Sequence, residues 1–331
     1  MNKSGTEAIE AMFDKMASLH ALVIGDAMLD AYMWGSITRS SPEAPVPIVD
    51  IIHREDRLGG AANVALNVVA MGAKATLVSV VGEDKYGESF QRLLKESGIR
   101  TNGILAFHDR KTTVKTRIIS DNKQVLRVDE EDSSDISTEE EVLDHVRQLL
   151  LSENYDVVIF EDYNKGLLTR KVIDGLIALC REKGIPTAVD PKKKNFLSYA
   201  GCTLFKPNRK EMEEGLGISF QITKEGLHNT VEQLQARMHC ESVLLTLSEY
   251  GVYFENKSLR QHLQAFPRNI IDVSGAGDTV IAMAALALAS KCPPEWIALI
   301  ANLAGGQVCE KVGVVTVDRA LLKEEFTKLI A

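Results

Sequence analysis

Short apolar runs recur along the chain and predict buried strands that alternate with helices. The apolar runs lie at residues 21–24, 75–81, 157–160, 186–189, 204–205 and 243–247. Segments with helical apolar spacing or an Ala/Leu-rich composition lie at residues 8–16, 87–97, 169–183, 280–289 and 296–308. Continuous apolar strands that alternate with helices are typical of parallel sheets. We therefore predict an α/β fold with a mostly parallel central sheet.

Polar residues follow most of these predicted strands. They are Asp26, Glu161 to Tyr163, Asp190 to Lys192, Lys206 to Asn208 and Ser248. The carboxyl ends of parallel strands meet at one edge of the sheet, and ligands bind there. The pattern therefore predicts an active site at that edge.

Two segments interrupt the alternation. Residues 40–47 are too proline-rich for a central strand, and residues 48–52 are predicted to form an edge strand. Residues 111–129 alternate between polar and apolar side chains around Asp121-Asn122, which predicts an antiparallel hairpin. We expect the hairpin to pair with the 48–52 strand. The two insertions, at about 33–52 and 111–129, would then form a small sheet that covers the substrate as a lid and offers a dimer surface.

Composition narrows the class of protein. The chain has 331 residues, 45% of them hydrophobic, and a formal net charge of -8, so a nucleic-acid partner is not expected. Its five cysteines are scattered without CxxC spacing, which argues against disulfides and zinc. An acidic amphipathic N-terminus and the lack of an 18-residue apolar run argue against a signal peptide and a membrane partner. We expect a soluble cytoplasmic protein.

The segment from Asp272 to Thr279 carries the strongest candidate chemistry. It is predicted to join a strand ending at Ile271 to the Ala/Leu-rich helix. Gly275, Ala276 and Gly277 have almost no side chain, so their backbone N–H groups at a helix start can surround an anion. Asp278 lies inside this cradle and could accept a hydroxyl proton beside bound phosphate. The alternative is that Asp278 is only the helix N-cap.

A second group of residues is suited to a polyhydroxylated ligand. Asp26 follows the first strand and Asp30 lies four residues later, although Asp30 could instead cap a turn. Gly59 and Gly60 permit close backbone contact, and Asn63 offers a donor and an acceptor to sugar hydroxyls. The alternative for the glycines is a plain turn followed by tight helix packing.

Candidate metal and nucleotide contacts lie later in the chain. Asn208 and Glu211 begin a predicted helix and could hold Mg²⁺ through water or contact phosphate, or Asn208 could cap that helix. Thr246 and Ser248, at the end of the 243–247 strand, could contact nucleotide phosphate or ribose.

Two motifs together resemble the PfkB, or ribokinase-like, family of sugar kinases. They are the stretch from Gly59 to Asn63 and the stretch from Asp272 to Thr279, about 210 residues apart. Met283 stands where the family usually has a small residue, at a position expected to pack the helix. The resemblance implies a three-layer α/β sandwich with a small β-sheet lid, formed by one kinase domain over residues 1–331.

The resemblance also implies the reaction and the role of each residue. Asp278 would be the base, and residues 275–277 the anion hole. Asp26, Asp30, Gly59, Gly60 and Asn63 would bind the sugar. Asn208 and Glu211 would organise Mg²⁺ and phosphates, Glu211 through water, and Thr246, Ser248, Gly251 and Asn302 would contact ATP. Asp272, Ser274, Val308, Lys311 and Gly313 align with a loop pair that binds a monovalent cation such as K⁺ in some members.

Within the family, four segments are similar to kinases that act on D-glycero-β-D-manno-heptose 7-phosphate. They are residues 25–30, 41–47, 162–166 and 275–281. The implied reaction moves the ATP γ-phosphoryl group to the anomeric hydroxyl, on the way to ADP-heptose and lipopolysaccharide. The substrate phosphate needs cations, for which the candidates are Arg39, Lys115, Arg117, Lys165 and Lys192. No His-x-Gly-His signature occurs, so we expect no nucleotidyltransferase domain here. The partners implied are a separate nucleotidyltransferase and a second copy of the chain, which would bind through the lid.

Three alternatives remain open. Another kinase of the family would act on fructose phosphate, ribose or a nucleoside. A dinucleotide-dependent oxidoreductase is suggested by Gly275-Ala276-Gly277, but the third glycine of its motif is absent. A catalytically silent sugar sensor of the same fold is opposed by the presence of Asp278.

Overall fold

The computed structural model describes residues 3–121 and 123–330. The helices are α1 Lys3–Ser18, α2 Ala61–Ala70, α3 Lys85–Glu96, α4 Glu139–Ser152, α5 Arg170–Glu182, α6 Arg209–Leu216, α7 Lys224–Met238, α8 Ala276–Ser290, α9 Pro294–Val308 and α10 Arg319–Ile330. The strands are β1 His20–Gly25, β2 Ala27–Ser40, β3 Pro47–Gly60, β4 Lys74–Gly82, β5 Arg100–Phe107, β6 Val114–Ser120, β7 Lys123–Glu130, β8 Val157–Glu161, β9 Thr187–Asp190, β10 Leu204–Phe205, β11 Ser242–Thr246, β12 Val252–Asn256 and β13 Arg260–Leu263.

A nine-stranded sheet forms the centre of the protein. Its order is β13-β12-β11-β10-β9-β8-β1-β4-β5, and the strands from β5 to β11 in this order run parallel. The antiparallel β12 and β13 complete one edge. The predicted mostly parallel sheet is therefore confirmed. Because β4 and β8 flank β1 on opposite sides, a crevice is expected at the carboxyl ends of β1 and β8.

Helices cover both faces of this sheet. Along β1, Ala21 and Val23 pack into one apolar core, which includes side chains of α1, α2, α8 and α9. Leu22 and Ile24 pack into the other, with side chains of α4, α5, α6 and α7. Successive strand residues point to opposite faces, which explains why these strands are apolar throughout. The result is the three-layer arrangement that the family resemblance implies.

The lid is a separate four-stranded sheet in the order β3-β2-β6-β7. The predicted hairpin is present as antiparallel β6 and β7, although Asn122 of its turn lies outside the described residues. The expected pairing of this hairpin with residues 48–52 is wrong. Instead, β6 lies parallel to β2, and β2 separates it from β3. Residues 48–52 do form part of an edge strand, because β3 pairs only with β2 in this sheet.

Three local predictions need correction. The strand predicted to end at Ile271 is absent, because residues 264–275 contain no strand. Ile270 and Ile271 are more than half exposed, at 56% and 54%. Gly59 and Gly60 end β3 directly before α2 and do not form a separate turn. Asp30 lies within β2, so it does not cap a turn.

The burial of Met283 and the free state of the cysteines agree with the expectations from sequence. Met283 is fully buried inside α8, as expected for a packing residue. The five cysteines are free thiols, four of them buried. Across the described ranges, none of the helices has the length and apolar character needed to cross a bilayer.

Candidate active site

Asp278 lies in the first turn of α8 and is held by two side chains. The helix begins after Gly275, which is the N-cap residue and has a left-handed φ of 76° that favours glycine. Asp278 is therefore not the N-cap, and that alternative is wrong. Its carboxylate accepts one hydrogen bond from Nδ2 of Asn63 and another from the hydroxyl of Tyr163, each 2.8 Å long. Only 3% of the residue is exposed.

The groups around Asp278 shift its pKa in opposite directions. Burial raises the pKa of Asp278 above its ordinary value. The hydrogen bonds from Asn63 and Tyr163 stabilise the charged form and lower the pKa, whereas the nearby Asp190 carboxylate raises it. The net result is a raised pKa, which makes this carboxylate a stronger base than an exposed aspartate.

The glycine cradle adjoins a buried ion pair. A Cβ atom built on Gly277 would lie 3.6 Å from Oδ2 of Asp190 and 3.7 Å from Nζ of Lys206. These two atoms form a salt bridge of 2.8 Å, and both side chains are 3% exposed. The Lys206 ammonium therefore lies next to the positive N-terminal end of α8.

Three buried carboxylates meet beside the cradle. Oxygen atoms of Glu161, Asp190 and Asp278 lie within 4.8 Å of one another. Neither carboxylate oxygen of Glu161 has a hydrogen-bond partner, and Oδ1 of Asp190 has none either. Burial and the two neighbouring carboxylates raise the pKa of Glu161 well above its usual range.

Asp26 organises the loop that follows β8. Its carboxylate accepts hydrogen bonds from the backbone N–H groups of Tyr163, Lys165 and Leu167, at 2.9, 2.9 and 3.3 Å. Burial raises the pKa of Asp26, and these backbone donors lower it. Because the loop carries Tyr163, Asp26 helps to place the hydroxyl that contacts Asp278.

Gly59 and Gly60 bring β3 close to the two aspartates. A Cβ on Gly59 would lie 2.3 Å from Oδ2 of Asp30, and one on Gly60 would lie 2.5 Å from the carbonyl oxygen of Asp26. Gly60 also has a positive φ of 59°, which favours glycine. The tight-packing alternative therefore describes part of what these glycines do.

The candidate phosphate-binding cations are distributed unevenly. Nζ of Lys115 and Nζ of Lys192 lie 5.6 and 5.1 Å from the centre of the Tyr163 ring. Arg117 forms an ion pair with Asp30, and Lys165 forms one of 2.7 Å with Glu131. Arg39 lies exposed near the outer end of β2, roughly 30 Å along the strand from Asp30. The structure thus brings Lys115 and Lys192 to the site and does not bring Arg39 there.

Residues 19–320 match the family described as pfkB family carbohydrate kinase. The chain belongs to that family. The predicted family and kinase class are confirmed, and the oxidoreductase alternative is wrong.

Curated relatives of the family are similar over nearly the whole chain. Bifunctional protein HldE of Syntrophotalea carbinolica is 39% identical over 318 residues, which cover 96% of this chain and 64% of that protein. Bifunctional protein HldE of Citrifermentans bemidjiense is 38% identical over 93% of this chain and 63% of that protein. The chain thus spans less than two thirds of the length of these relatives.

Solved structures of the family share the fold. Phosphofructokinase-2 from Escherichia coli in complex with potassium has a TM-score of 0.77 at 16% identity, over 95% of this chain and 99% of that one. Arabidopsis thaliana ribokinase complexed with ribose and ATP has a TM-score of 0.71 at 15% identity, over 94% of this chain and 99% of that one. The predicted ribokinase-like fold is confirmed.

Asn208 and Glu211 form a capping box at the start of α6. Oδ1 of Asn208 accepts from the Glu211 N–H, and a Glu211 oxygen accepts from the Asn208 N–H, both at 2.8 Å. The helix-capping alternative is confirmed. The other Glu211 oxygen is 2.5 Å from Nζ of Lys192. The start of α6 therefore forms an ion pair with Lys192, whose ammonium lies beside the Tyr163 ring.

The remaining nucleotide candidates lie at the end of β11, in the turn after it and on α9. Thr246 ends β11 and forms an isolated parallel β-bridge with Asn208 through the backbone. Ser248 and Gly251 have positive φ angles of 53° and 81° in the turn between β11 and β12. Nδ2 of Asn302, on α9, donates a 2.8 Å hydrogen bond to the carbonyl of Gln264. Their contact with ATP stays a prediction.

Asp272 joins the two loops that were expected to bind a monovalent cation. Its Oδ1 accepts from the N–H and the hydroxyl of Ser274, and its Oδ2 accepts from the N–H of Gly313 at 2.8 Å. The backbone N–H of Asp272 also donates to the carbonyl of Cys309. The predicted loop pair is therefore in contact, and cation binding stays a prediction.

Sequence reasoning missed four residues of this site. In the sequence, four residues stand out only as polar residues that follow strands: Tyr163, Glu161, Asp190 and Lys206. Their position at the ends of β8, β9 and β10 was the available signal, but their mutual contacts depend on strand order, which sequence spacing does not give.

Proposed function

We propose that the protein is an ATP-dependent kinase that phosphorylates the anomeric C1 hydroxyl of D-glycero-β-D-manno-heptose 7-phosphate. The product would be the 1,7-bisphosphate, an intermediate of ADP-heptose synthesis for lipopolysaccharide. The observation that carries the kinase chemistry is the pair of hydrogen bonds that holds Asp278 at the glycine cradle. The likeness of residues 25–30, 41–47 and 162–166 to heptose phosphate kinases, and the similarity to proteins named HldE, support the choice of sugar.

In the proposed reaction, Asp278 accepts the proton of the anomeric hydroxyl. The sugar oxygen forms a bond to the γ-phosphorus, the bond from that phosphorus to the β–γ bridging oxygen breaks, and its electron pair leaves on ADP. The backbone N–H groups of residues 275–277 and the Lys206 ammonium stabilise the negative charge of the transferred group. Asp26, Asp30, Gly59, Gly60 and Asn63 position the sugar.

The buried carboxylates fit a divalent cation. Carboxylate oxygens are the ligands that Mg²⁺ prefers, and Glu161 and Asp190 have buried oxygens without hydrogen-bond partners. Mg²⁺ would neutralise phosphate charge when bound with ATP. We propose that Glu161 and Asp190 hold it, with Glu211 contributing through water.

Binding of Mg²⁺ can be tested without measuring activity. Mg²⁺ should raise the melting temperature of the wild-type protein, and Glu161→Gln should weaken this response. The control variant Glu255→Gln removes a buried carboxylate on β12 and should keep the response. Equal Mg²⁺ responses in all three proteins would exclude Glu161 as a ligand.

Lys115 is the strongest candidate for the substrate phosphate. It lies opposite Asp30 in the register of β2 and β6, so it is next to the proposed sugar site. Among the described residues, no carboxylate lies within 4.0 Å of its ammonium, in contrast to Arg117, Lys165 and Lys192. An unpaired ammonium is free to bind a phosphate.

The assembly is also part of the proposal. The lid strands carry exposed apolar side chains, including Ile52 at 78% and Leu126 at 53%, which would suit a homodimer through the lid sheet. We further propose a cytoplasmic enzyme whose Asp272 loop pair holds K⁺ and whose product passes to a nucleotidyltransferase.

A substrate panel tests this function directly. ADP release would be measured with heptose 7-phosphate, unphosphorylated heptose, fructose 6-phosphate, ribose and a nucleoside. We expect heptose 7-phosphate to give the highest kcat/KM, by roughly a hundredfold or more, and ³¹P NMR to show phosphate on C1. Faster turnover of another acceptor would favour a different kinase of the family, and no turnover of any acceptor would favour the sugar-sensing alternative.

A further inference from the structure

Tyr163 connects the base to the proposed phosphate-binding cations. Its hydroxyl donates a 2.8 Å hydrogen bond to Oδ1 of Asp278, while Asn63 donates to Oδ2. The ammonium groups of Lys115 and Lys192 lie 5.6 and 5.1 Å from the centre of its ring. Cations at such distances are attracted to the face of an aromatic ring. The ring therefore has favourable contacts with a lysine from the lid and a lysine from the central sheet.

The backbone of the Tyr163 loop is held without the hydroxyl. Asp26 accepts the N–H groups of residues 163, 165 and 167, and Asp162 accepts the Asn164 N–H at 2.7 Å. The Asp162 carboxylate is fixed in turn by Asn195 and Tyr199. Loss of the Tyr163 hydroxyl alone would leave all of these bonds in place. Within the described part of the chain, Asp278 is the only hydrogen-bond partner of this hydroxyl, so its contribution acts through that carboxylate.

We propose that Tyr163 is a positioning residue that holds the Asp278 carboxylate in the orientation needed to accept the proton of the acceptor hydroxyl. This inference rests on the proposed function of Asp278 as the base. With one donor on each oxygen, rotation of the carboxylate about its Cβ–Cγ bond breaks at least one hydrogen bond. A hydrogen bond to a charged group contributes more than one between neutral groups. The remaining lone pairs then face the acceptor in a fixed direction.

The two lysines extend this role to substrate binding. Lys115 comes from β6 of the lid, and Lys192 follows β9 at the edge of the central sheet. When Lys115 binds the acceptor phosphate, its ammonium stays beside the ring that orients the base. Tyr163 thus lies where the lid, the acceptor and the base meet, which would make turnover sensitive to its hydroxyl while binding is not.

The variant Tyr163→Phe tests the inference because it keeps the ring and removes only the hydroxyl. We expect kcat to fall by about tenfold to a hundredfold, with the KM values for ATP and for the acceptor within about twofold of wild type. In an Asp278→Asn background, Tyr163→Phe should cause no further loss, because residues that act as a unit are not additive. The control Tyr253→Phe removes another buried hydroxyl–carboxylate bond, to Glu255 at 2.6 Å, and should keep wild-type kcat.

The outcomes separate this inference from the proposed function. Wild-type kcat in Tyr163→Phe, or a full additional loss in the Asp278→Asn background, would overturn the role of Tyr163. A rise in KM without a change in kcat would also overturn it, since the hydroxyl would then act in binding. Failure of the wild-type protein to use heptose 7-phosphate would contradict the proposed substrate instead, and the Tyr163 comparison would then be made with the acceptor that is turned over.

Discussion

Nδ2 of Asn63 donates a 2.8 Å hydrogen bond to Oδ2 of Asp278, which joins two motifs 215 residues apart. One motif ends β3 and begins α2, and the other begins α8. The amide of Asn67 supports this arrangement by donating to the carbonyl oxygen of Asn63 at 2.9 Å. The motif that we propose binds the sugar therefore also holds the proposed base.

Asn63→Ala should lower kcat by about tenfold or more, because Asp278 loses one of its two side-chain donors. It should also raise the acceptor KM, since the amide is expected to contact the sugar. Steady-state kinetics would measure both effects, and Asn256→Ala, which removes a turn-forming side chain between β12 and β13, is the control. Equal kcat in wild type and Asn63→Ala would show that the hydrogen bond has no role in turnover.

Gly277→Ala should separate stability from activity. The added methyl group would make only ordinary contacts of 3.6 and 3.7 Å, and alanine is favoured over glycine in a helix by about 1 kcal/mol. The melting temperature should therefore stay the same or rise. Turnover should fall by about tenfold or more, because the methyl group occupies the anion cradle.

The matched control for that variant is Gly5→Ala in α1, where an added Cβ meets nothing within 4 Å. It should keep full activity. If Gly277→Ala is as active as Gly5→Ala, the cradle does not receive the transferred phosphoryl group.

Lys115→Met should distinguish phosphorylated from unphosphorylated acceptors. The change removes the ammonium and keeps most of the side-chain length, so the KM for heptose 7-phosphate should rise by about tenfold or more. The KM for unphosphorylated heptose should not change. Arg39→Met removes an exposed cation at the outer end of β2 and should alter neither KM. Equal effects of Lys115→Met on both acceptors would refute the phosphate contact.

The fold was largely predictable because its strands are buried on both faces. Continuous apolar runs such as residues 157–160 identify such strands whatever their neighbours are. The pairing of β6 with β2 was not predictable, since the polar and apolar pattern of a lid strand does not specify its partner. The predicted strand ending at Ile271 was wrong because the sequence does not distinguish exposed apolar residues, such as Ile270 and Ile271, from buried ones.

The site was predictable where the chemistry depends on local sequence. Glycines at a helix start and the adjacent Asp278 form one short segment, so their proximity follows from the sequence alone. The contact of Tyr163 with Asp278 spans 115 residues and depends on the placement of β8 beside β1. Such contacts require the tertiary structure.

Asp162 should make stability depend on pH. Burial and the neighbouring Asp26 raise the pKa of Asp162 to about 6, whereas an unfolded aspartate has a pKa of about 3.9. The folded protein therefore binds the extra proton, so this contribution is complete below about pH 4 and is lost as the pH rises through about 6.

Relative to Asp162→Asn, the wild-type protein should lose about 2 kcal/mol of unfolding free energy between about pH 4 and pH 7. Urea unfolding of both proteins across this range would measure the difference. A difference that does not vary with pH would contradict the raised pKa.

The most direct test of the account is the turnover and ligand binding of Asp278→Asn. We predict that kcat with heptose 7-phosphate falls by a factor of roughly 10² to 10⁴, because the amide cannot accept the proton of the acceptor hydroxyl. Calorimetry should show ATP and acceptor affinities within about twofold of wild type. The reason is that the base acts in the transition state and contributes little to the binding of either ligand in the ground state. Unchanged turnover in this variant, with the protein folded and both ligands bound, would contradict the assignment of Asp278 as the base.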